Sequence, residues 1–376
     1  MAHFCFLTSV FGREDSLIVY RHGVSLVEAG YKVTFLLCDG KPNEDKLGIK
    51  MISVGDYEPI QWKRIIKNRW VMKRYLDSNT FKADVFQISE PELLPLGMHL
   101  KKKGFIVIFN LREYYPDYFA LKFKNKLIQK IVHNTFELYF RKVAKRFDAV
   151  FNCMPEMTEY IKRVMPCHIF ADIPNYPVVN RDFCLSYNEY CSRDNIISYF
   201  GTIYNISCQE EFLNAISKIP NVKYLLAGVI DKQYKMKLMS MAGWNKVIFK
   251  ERFTRKELPC IINSSIIGNV MKDFSKTETP NGSYSIIKIF ESMEAAIPII
   301  LAKVPLYEQL VDEYKCGICV DPHNEEEIRK AILYLLNNKE EAYKMGQNGR
   351  KAVIEKYSWD SQKDKYVEIV NFLTNI

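Results

Sequence analysis

The chain has 376 residues, 48% hydrophobic and 26% charged, a globular composition too long for one ordinary core, so two domains are expected. No apolar run approaches the length that crosses a bilayer, and ten cysteines without a regular framework exclude a disulfide-stapled fold and point to a reducing cytoplasm. The net charge of +9 is lopsided: residues 1–176 hold 27 Lys and Arg against 19 Asp and Glu, a net of +8, and the remainder 26 against 25.

The first half alternates strand and helix. Met1-Ala2-His3 leads into a strand-like run without a basic leader or cleavage pattern, so no secretory signal is expected. Phe4 to Leu7 predicts a buried strand, Leu17 to Ala29 an amphipathic helix closed by Gly30, and Lys32 to Leu37 the next strand. Val85–Ile88, Phe105–Phe109 and Ala149–Asn152 are further strands. Buried apolar runs separated by helices argue a parallel sheet covered on both faces, with ligand sites at the carboxyl ends of its strands. The basic excess clusters in Lys63, Arg64, Lys67, Arg69, Lys73 and Arg74, in Lys101 to Lys103, and in Lys122 to Lys130. Trp62, Trp70, Phe119, Phe123 and Leu127 are interleaved with them, a mixture suited to an anionic membrane surface or, more plainly, to a solvated basic face. Nucleic acid is not expected as a partner, because no helix-turn-helix, zinc or RNA-recognition pattern is present.

The paired prolines of Asp172-Ile173-Pro174-Asn175-Tyr176-Pro177 mark the domain boundary. The alternation restarts beyond it, with strands at Ile196–Phe200, Lys223–Gly228, Lys246–Phe249, Ile266–Val270 and Ile299–Leu301. Helices are expected at Pro322–Asn337, Lys339–Lys356 and Asp360–Leu373. The CxxC run Cys316-Gly317-Ile318-Cys319 has no second pair and sits in an apolar strand-like stretch, which reads as core.

Asn281 to Ile300 is the most informative stretch. Asn281, Gly282, Ser283 and Ser285 form a small polar loop, followed by a helical pattern from Ile286 to Ala296 that Ile297-Pro298 ends. A loop feeding a helix start presents unpaired N–H groups to phosphate oxygens. Lys288 would add a full positive charge there, and Glu291, on the same helix face, is suited to accept hydrogen bonds from a ribose diol. The alternative is an amphipathic helix with a surface Lys–Glu pair.

This stretch resembles the nucleotide-sugar motif of family-4-type glycosyltransferases of the bacterial surface-polysaccharide branch. In that family a glutamate on this helix holds the donor ribose, and Glu291 falls on its position. A partner glutamate eight residues earlier is replaced by Ser283, and Lys288 precedes the Phe290-Glu291 pair as in one branch of the family. The resemblance extends over Glu90-Pro91-Glu92, Arg112-Glu113-Tyr114-Tyr115-Pro116, Asn175-Tyr176-Pro177, Met345-Gly346-Gln347-Asn348-Gly349-Arg350 and Tyr357-Ser358-Trp359. It implies an α/β GT-B fold, two Rossmann-like domains with parallel sheets facing across a cleft. The expected divisions are 1–174 for the acceptor side, 175–358 for the nucleotide sugar, and 359–376 for a helix packing back on the first domain.

The implied reaction is a retaining, metal-independent hexosyl transfer from a UDP- or GDP-linked sugar, with no separate cofactor and no metal. The resemblance assigns Gly12, Arg13, Gly201, Ser283, Tyr284, Ser285, Lys288 and Glu291 to the donor, Glu90 and Glu92 to the acceptor, and Arg112 and Glu113 to catalysis. The Gly12 loop reads equally as an ordinary strand–helix turn, Glu90 and Glu92 as helix caps, and Arg112–Glu113 as a buried pair bracing a loop. Two departures stand out: the loop Gly201 to Ser207 lacks the cation relatives place there, and Arg112 stands where relatives carry a histidine. The expected function is transfer to a lipid-linked glycan in surface polysaccharide synthesis, at the cytoplasmic face of the membrane. A non-catalytic subunit and a nucleotide-sugar epimerase are the rival readings.

Overall fold

The computed structural model describes residues 2–78, 81–277 and 279–375, without the side chains of Gln61 and Trp62. Among these residues no helix is long and apolar enough to cross a membrane. The chain forms two compact units, one of residues 1–175 with 362–376 and the other of residues 176–361.

The first unit carries an eight-stranded sheet: β1 (His3–Leu7), β2 (Lys32–Leu37), β3 (Glu44–Lys46), β4 (Ile49–Ser53), β5 (Val85–Ile88), β6 (Ile106–Leu111), β7 (Ala149–Asn152) and β8 (Ile169–Asp172). Its order is β3-β4-β2-β1-β5-β6-β7-β8. All neighbours run parallel except the edge hairpin β3–β4. That hairpin escapes an apolar-run reading because Glu44-Asp45-Lys46 has no inward face; its turn places Leu47 and Gly48 at φ of 55° and 76°.

The helix expected over 17–29 is instead a widened turn, Ile18–Gly23, followed by Val24–Glu28. The turn places two polar side chains in the core, since Arg21 and His22 are both fully buried. The His22 ring stacks on Tyr366 at 4.1 Å, and its Nδ1 lies 3.0 Å from the Gln87 amide. Tyr366 belongs to the last helix, Asp360–Thr374, which also receives a 2.6 Å hydrogen bond from the Tyr31 hydroxyl on Asn371.

The second unit holds a six-stranded, wholly parallel sheet: β9 (Ile196–Phe200), β10 (Lys223–Ala227), β11 (Val247–Lys250), β12 (Ile267–Asn269), β13 (Ile299–Ala302) and β14 (Gly317–Val320). Its order is β11-β10-β9-β12-β13-β14. The pattern from Ile286 to Ala296 folds as a shorter helix, Lys288–Glu294, and Ala296 at φ 57° turns the chain toward Pro298.

Helix Lys339–Glu355 packs closely behind that short helix. A Cβ on Gly346 would lie 2.0 Å from the Ala296 carbonyl oxygen, and one on Gly349 would lie 3.2 Å from Met293 Cγ. Arg350, the residue after Gly349, donates to the Glu294 carbonyl at 2.5 Å and to the carbonyls of Asn180 and Phe183 at 2.7 Å each. The motif from Met345 to Arg350 is thus a packing device. Its two glycines let the neighbouring chain approach, and its arginine satisfies the carbonyl at the end of the short helix.

Candidate functional site

In an open parallel sheet, ligands bind beyond the carboxyl ends of the strands where the strand order reverses. The second unit reverses between β9 and β12, and the first between β1 and β5. Most of the candidate residues lie on the loops that leave these strands.

In the second unit, Gly201 follows β9 at φ 108°, and its N–H donates to the Ala227 carbonyl at 2.9 Å. A Cβ there would lie 3.5 Å from Lys288 Nζ. Lys288 opens helix Lys288–Glu294, and its Nζ stands 3.9 Å from the centre of the Tyr199 ring. Among the described residues no carboxylate pairs with it. The structure thus brings an uncompensated ammonium to a glycine turn at the reversal point, a suitable setting for a phosphate group.

Glu291 lies three residues on, almost wholly buried, and pairs with Arg255 from the loop after β11. Together with Leu258 and Glu294 these two residues border a cavity of about 140 Å³. Sequence reading missed Arg255, because 36 residues separate it from Glu291 and no local pattern links them. It missed Tyr199 for a similar reason, since a strand tyrosine reads as core. Ser283 and Ser285 bond to each other, Oγ to Oγ at 2.8 Å, and the Tyr307 hydroxyl donates to the Ser283 carbonyl at 2.9 Å. Tyr284 packs edge-on against Phe290 and Tyr357. These three residues shape the loop from within. A second, open cavity of about 660 Å³ lies beyond β9 and β10, bordered by Thr202, Tyr204, Asp231 and Lys237.

In the first unit, Glu90 grips the loop after β1. One of its carboxylate oxygens accepts from the Thr8 hydroxyl and from the Ser9 and Val10 N–H groups, the latter two at 3.2 Å each. The Ser9 hydroxyl donates to Glu92 at 2.8 Å. Neither carboxylate therefore needs to act as a helix cap, and the side chain of Glu90 makes no capping bond. Arg112 bonds to Asp15 at 3.0 Å and lies 3.8 Å from the centre of the Phe11 ring, whereas Glu113 is exposed. The pair that braces this loop is Arg112–Asp15. Arg13 is tied to Asp39, Glu44 and the carbonyls of Lys41 and Pro42, so its charge is answered within its own unit. A Cβ on Gly12 would meet no atom within 4 Å.

Glu90 is only 3% exposed, its second oxygen has no hydrogen-bond partner among the described residues, and burial pushes its pKa up to about 7 from 4.5. Between these two values the folded chain binds more protons than the unfolded chain, so stability falls as pH rises through this window. Relative to wild type, Glu90→Gln is expected to gain about 1–3 kcal/mol between pH 4.5 and 8. Urea unfolding at several pH values checks this, and a pH-independent difference would contradict it.

The two cysteines of the CxxC run are kept as thiols, because burial pushes Cys316 and Cys319 up to about 12.

Residues 191–352 match the family model described as Glycosyl transferases group 1. A comparison with curated proteins finds no match. Among solved structures, sucrose-phosphate synthase from Thermosynechococcus elongatus aligns at TM-score 0.77 and 16% identity, over 100% of each chain. HepE of Anabaena, in complex with UDP and glucose, aligns at 0.69 and 12%, over 99% of this chain and 100% of that one. The α,α-trehalose 6-phosphate synthase of Burkholderia multivorans aligns at 0.66 and 11%, over 99% and 98%. The second unit therefore carries a glycosyl transferases group 1 domain, and the fold is GT-B, with two parallel-sheet α/β domains.

Proposed function

We propose that the protein is a hexosyltransferase that moves a sugar from a nucleoside diphosphate, UDP or GDP, to a glycan hydroxyl. The observation that carries this reading is the uncompensated Lys288 beside Gly201, one turn from the buried Glu291, inside the segment that matches the family model. Lys288 faces the diphosphate, and Glu291 accepts from the ribose hydroxyls once Arg255 releases it. The bond from the anomeric carbon to the diphosphate oxygen breaks, and the acceptor oxygen bonds to that carbon. The acceptor proton passes to the departing phosphate, on the same face of the sugar, with retention and without a metal. Developing charge on the leaving group is met by a cation already in place. Acceptor recognition is assigned to Glu90 and Glu92 of the first unit, and a catalytic part to its Arg112 and Glu113. The acceptor is a lipid-linked glycan of surface polysaccharide synthesis, which the enzyme meets at the cytoplasmic face of the membrane.

A second reading, a non-catalytic subunit, draws on the cation-free loop Gly201 to Ser207 and on the carboxylates that answer Arg13 and Arg112. Thermal stabilisation by UDP, GDP, ADP and CMP separates the two. A nucleotide at 100 times its dissociation constant stabilises by about 2.7 kcal/mol, and silence from all four favours the subunit. Glu291→Ala is expected to weaken binding of the stabilising diphosphate by about 1–3 kcal/mol. Unchanged affinity in a folded variant, measured by calorimetry, would remove Glu291 from the site.

A further inference from the structure

Helix Lys126–Ala144 is apolar on two sides. Its inner side, with Phe140, Val143 and Ala144, joins the core of the first unit. Its outer side presents Leu127 (67% exposed), Ile131 (57%) and Leu138 (67%), which share one face at helical spacing. Asn125 starts the helix by accepting from the N–H groups of Leu127 and Ile128, which holds Leu127 at its outer end. Exposed Leu121 and Phe123 precede it.

The charges around this stripe have one sign. Lys124, Lys126, Lys130, Arg141, Lys142 and Lys145 surround it, and none pairs with a carboxylate among the described residues. The helix's single acid, Glu137, is turned inward to the hydroxyls of Tyr114 and Tyr160 and to His133. Helix Gln61–Asp77 is also basic and partly apolar on its outer side, although its Lys73 pairs with Asp77. It exposes Ile66 and Trp70 one turn apart, with Arg74 5.6 Å from the Trp70 ring centre. Its Met72 and Leu76 enter the same core cluster as Phe140, so both helices cover one side of the sheet. The side chain of Trp62 lies outside the described residues, Phe119 stacks inward on Phe136, and Lys101 and Lys103 pair with Asp148 and Asp77.

We infer that the outer face of helix Lys126–Ala144, extended by Ile66 and Trp70, docks on an anionic lipid surface. Apolar side chains enter the headgroup boundary while unpaired cations meet lipid phosphates. The inference rests on the reading of a lipid-linked acceptor and names the surface that would bring the enzyme to it.

The test is co-sedimentation of the full chain with vesicles of phosphatidylglycerol and phosphatidylcholine in equal parts, with phosphatidylcholine alone as reference. Binding to the anionic vesicles is expected, weakening with salt. It should fall about tenfold or more in the triple variant Leu127→Ser, Ile131→Ser, Leu138→Ser, and about fivefold for each of Lys130→Gln and Lys142→Gln. These surface variants should keep the wild-type unfolding temperature and nucleotide response. Vesicle binding without any nucleotide response would leave the docking face standing and remove the transferase reading. No binding to anionic vesicles, or binding that the variants retain, overturns the docking face. A dimer that Leu138→Ser abolishes, or tighter binding to RNA than to vesicles, overturns it as well.

Discussion

Lys288→Ala is expected to lower kcat/KM for the nucleotide-sugar donor by about 10²–10³-fold, the usual loss when one preorganised stabiliser of developing negative charge is removed. The structure gives a reason to expect the full effect. The ammonium rests over the Tyr199 ring and beside Gly201, and no carboxylate among the described residues dilutes its charge. The loop Gly201 to Ser207 offers no second cation to take its place. Most of the loss should appear in kcat, because charge on the diphosphate grows as the sugar leaves. Glu291→Ala, by contrast, should act on donor affinity. Steady-state kinetics with the donor found by thermal stabilisation distinguishes the two, and a Lys288→Ala enzyme within threefold of wild type would end the assignment.

Gly346→Ala should destabilise the second unit by about 3 kcal/mol, at the upper end of the cost of overpacking. The added Cβ would sit 2.0 Å from the Ala296 carbonyl oxygen and 2.6 Å from its carbon. Backbone cannot rotate aside as a flexible side chain does, so the helices must separate. Separation would also disturb the helix that carries Lys288 and Glu291, so nucleotide binding should weaken with stability. Gly12→Ala is the matched control, since its Cβ meets nothing within 4 Å, and its effect on stability should be small. Urea unfolding of both variants measures the contrast; equal stabilities would refute the close-packing account of the motif.

The strand–helix alternation and the parallel sheets are legible from pattern, because strands buried on both faces read as apolar runs. β1, β5 and β7 are buried along nearly their whole length and stand out in this way. The hairpin strand β3 does not, because Glu44, Asp45 and Lys46 lie at an edge with no core to face. The helix from Ile286 reads too long for a different reason. Its apolar residues continue to Ile297, yet a positive φ at Ala296 ends it first.

By itself the sequence determined the α/β class, the asymmetry of charge, and the loop-and-helix stretch that holds Lys288 and Glu291. All of these depend on neighbours within a few residues, where periodicity, proline and charge act directly. Only the tertiary structure decided which groups meet. It set Arg255 on Glu291, Lys288 over Tyr199, Asp15 on Arg112, and Glu90 on the loop after β1. It also decided which side of helix Lys126–Ala144 faces outward, a choice no pattern makes when both sides are apolar. Such pairings join residues far apart in the chain, and they form only when strand order and helix packing bring those residues together.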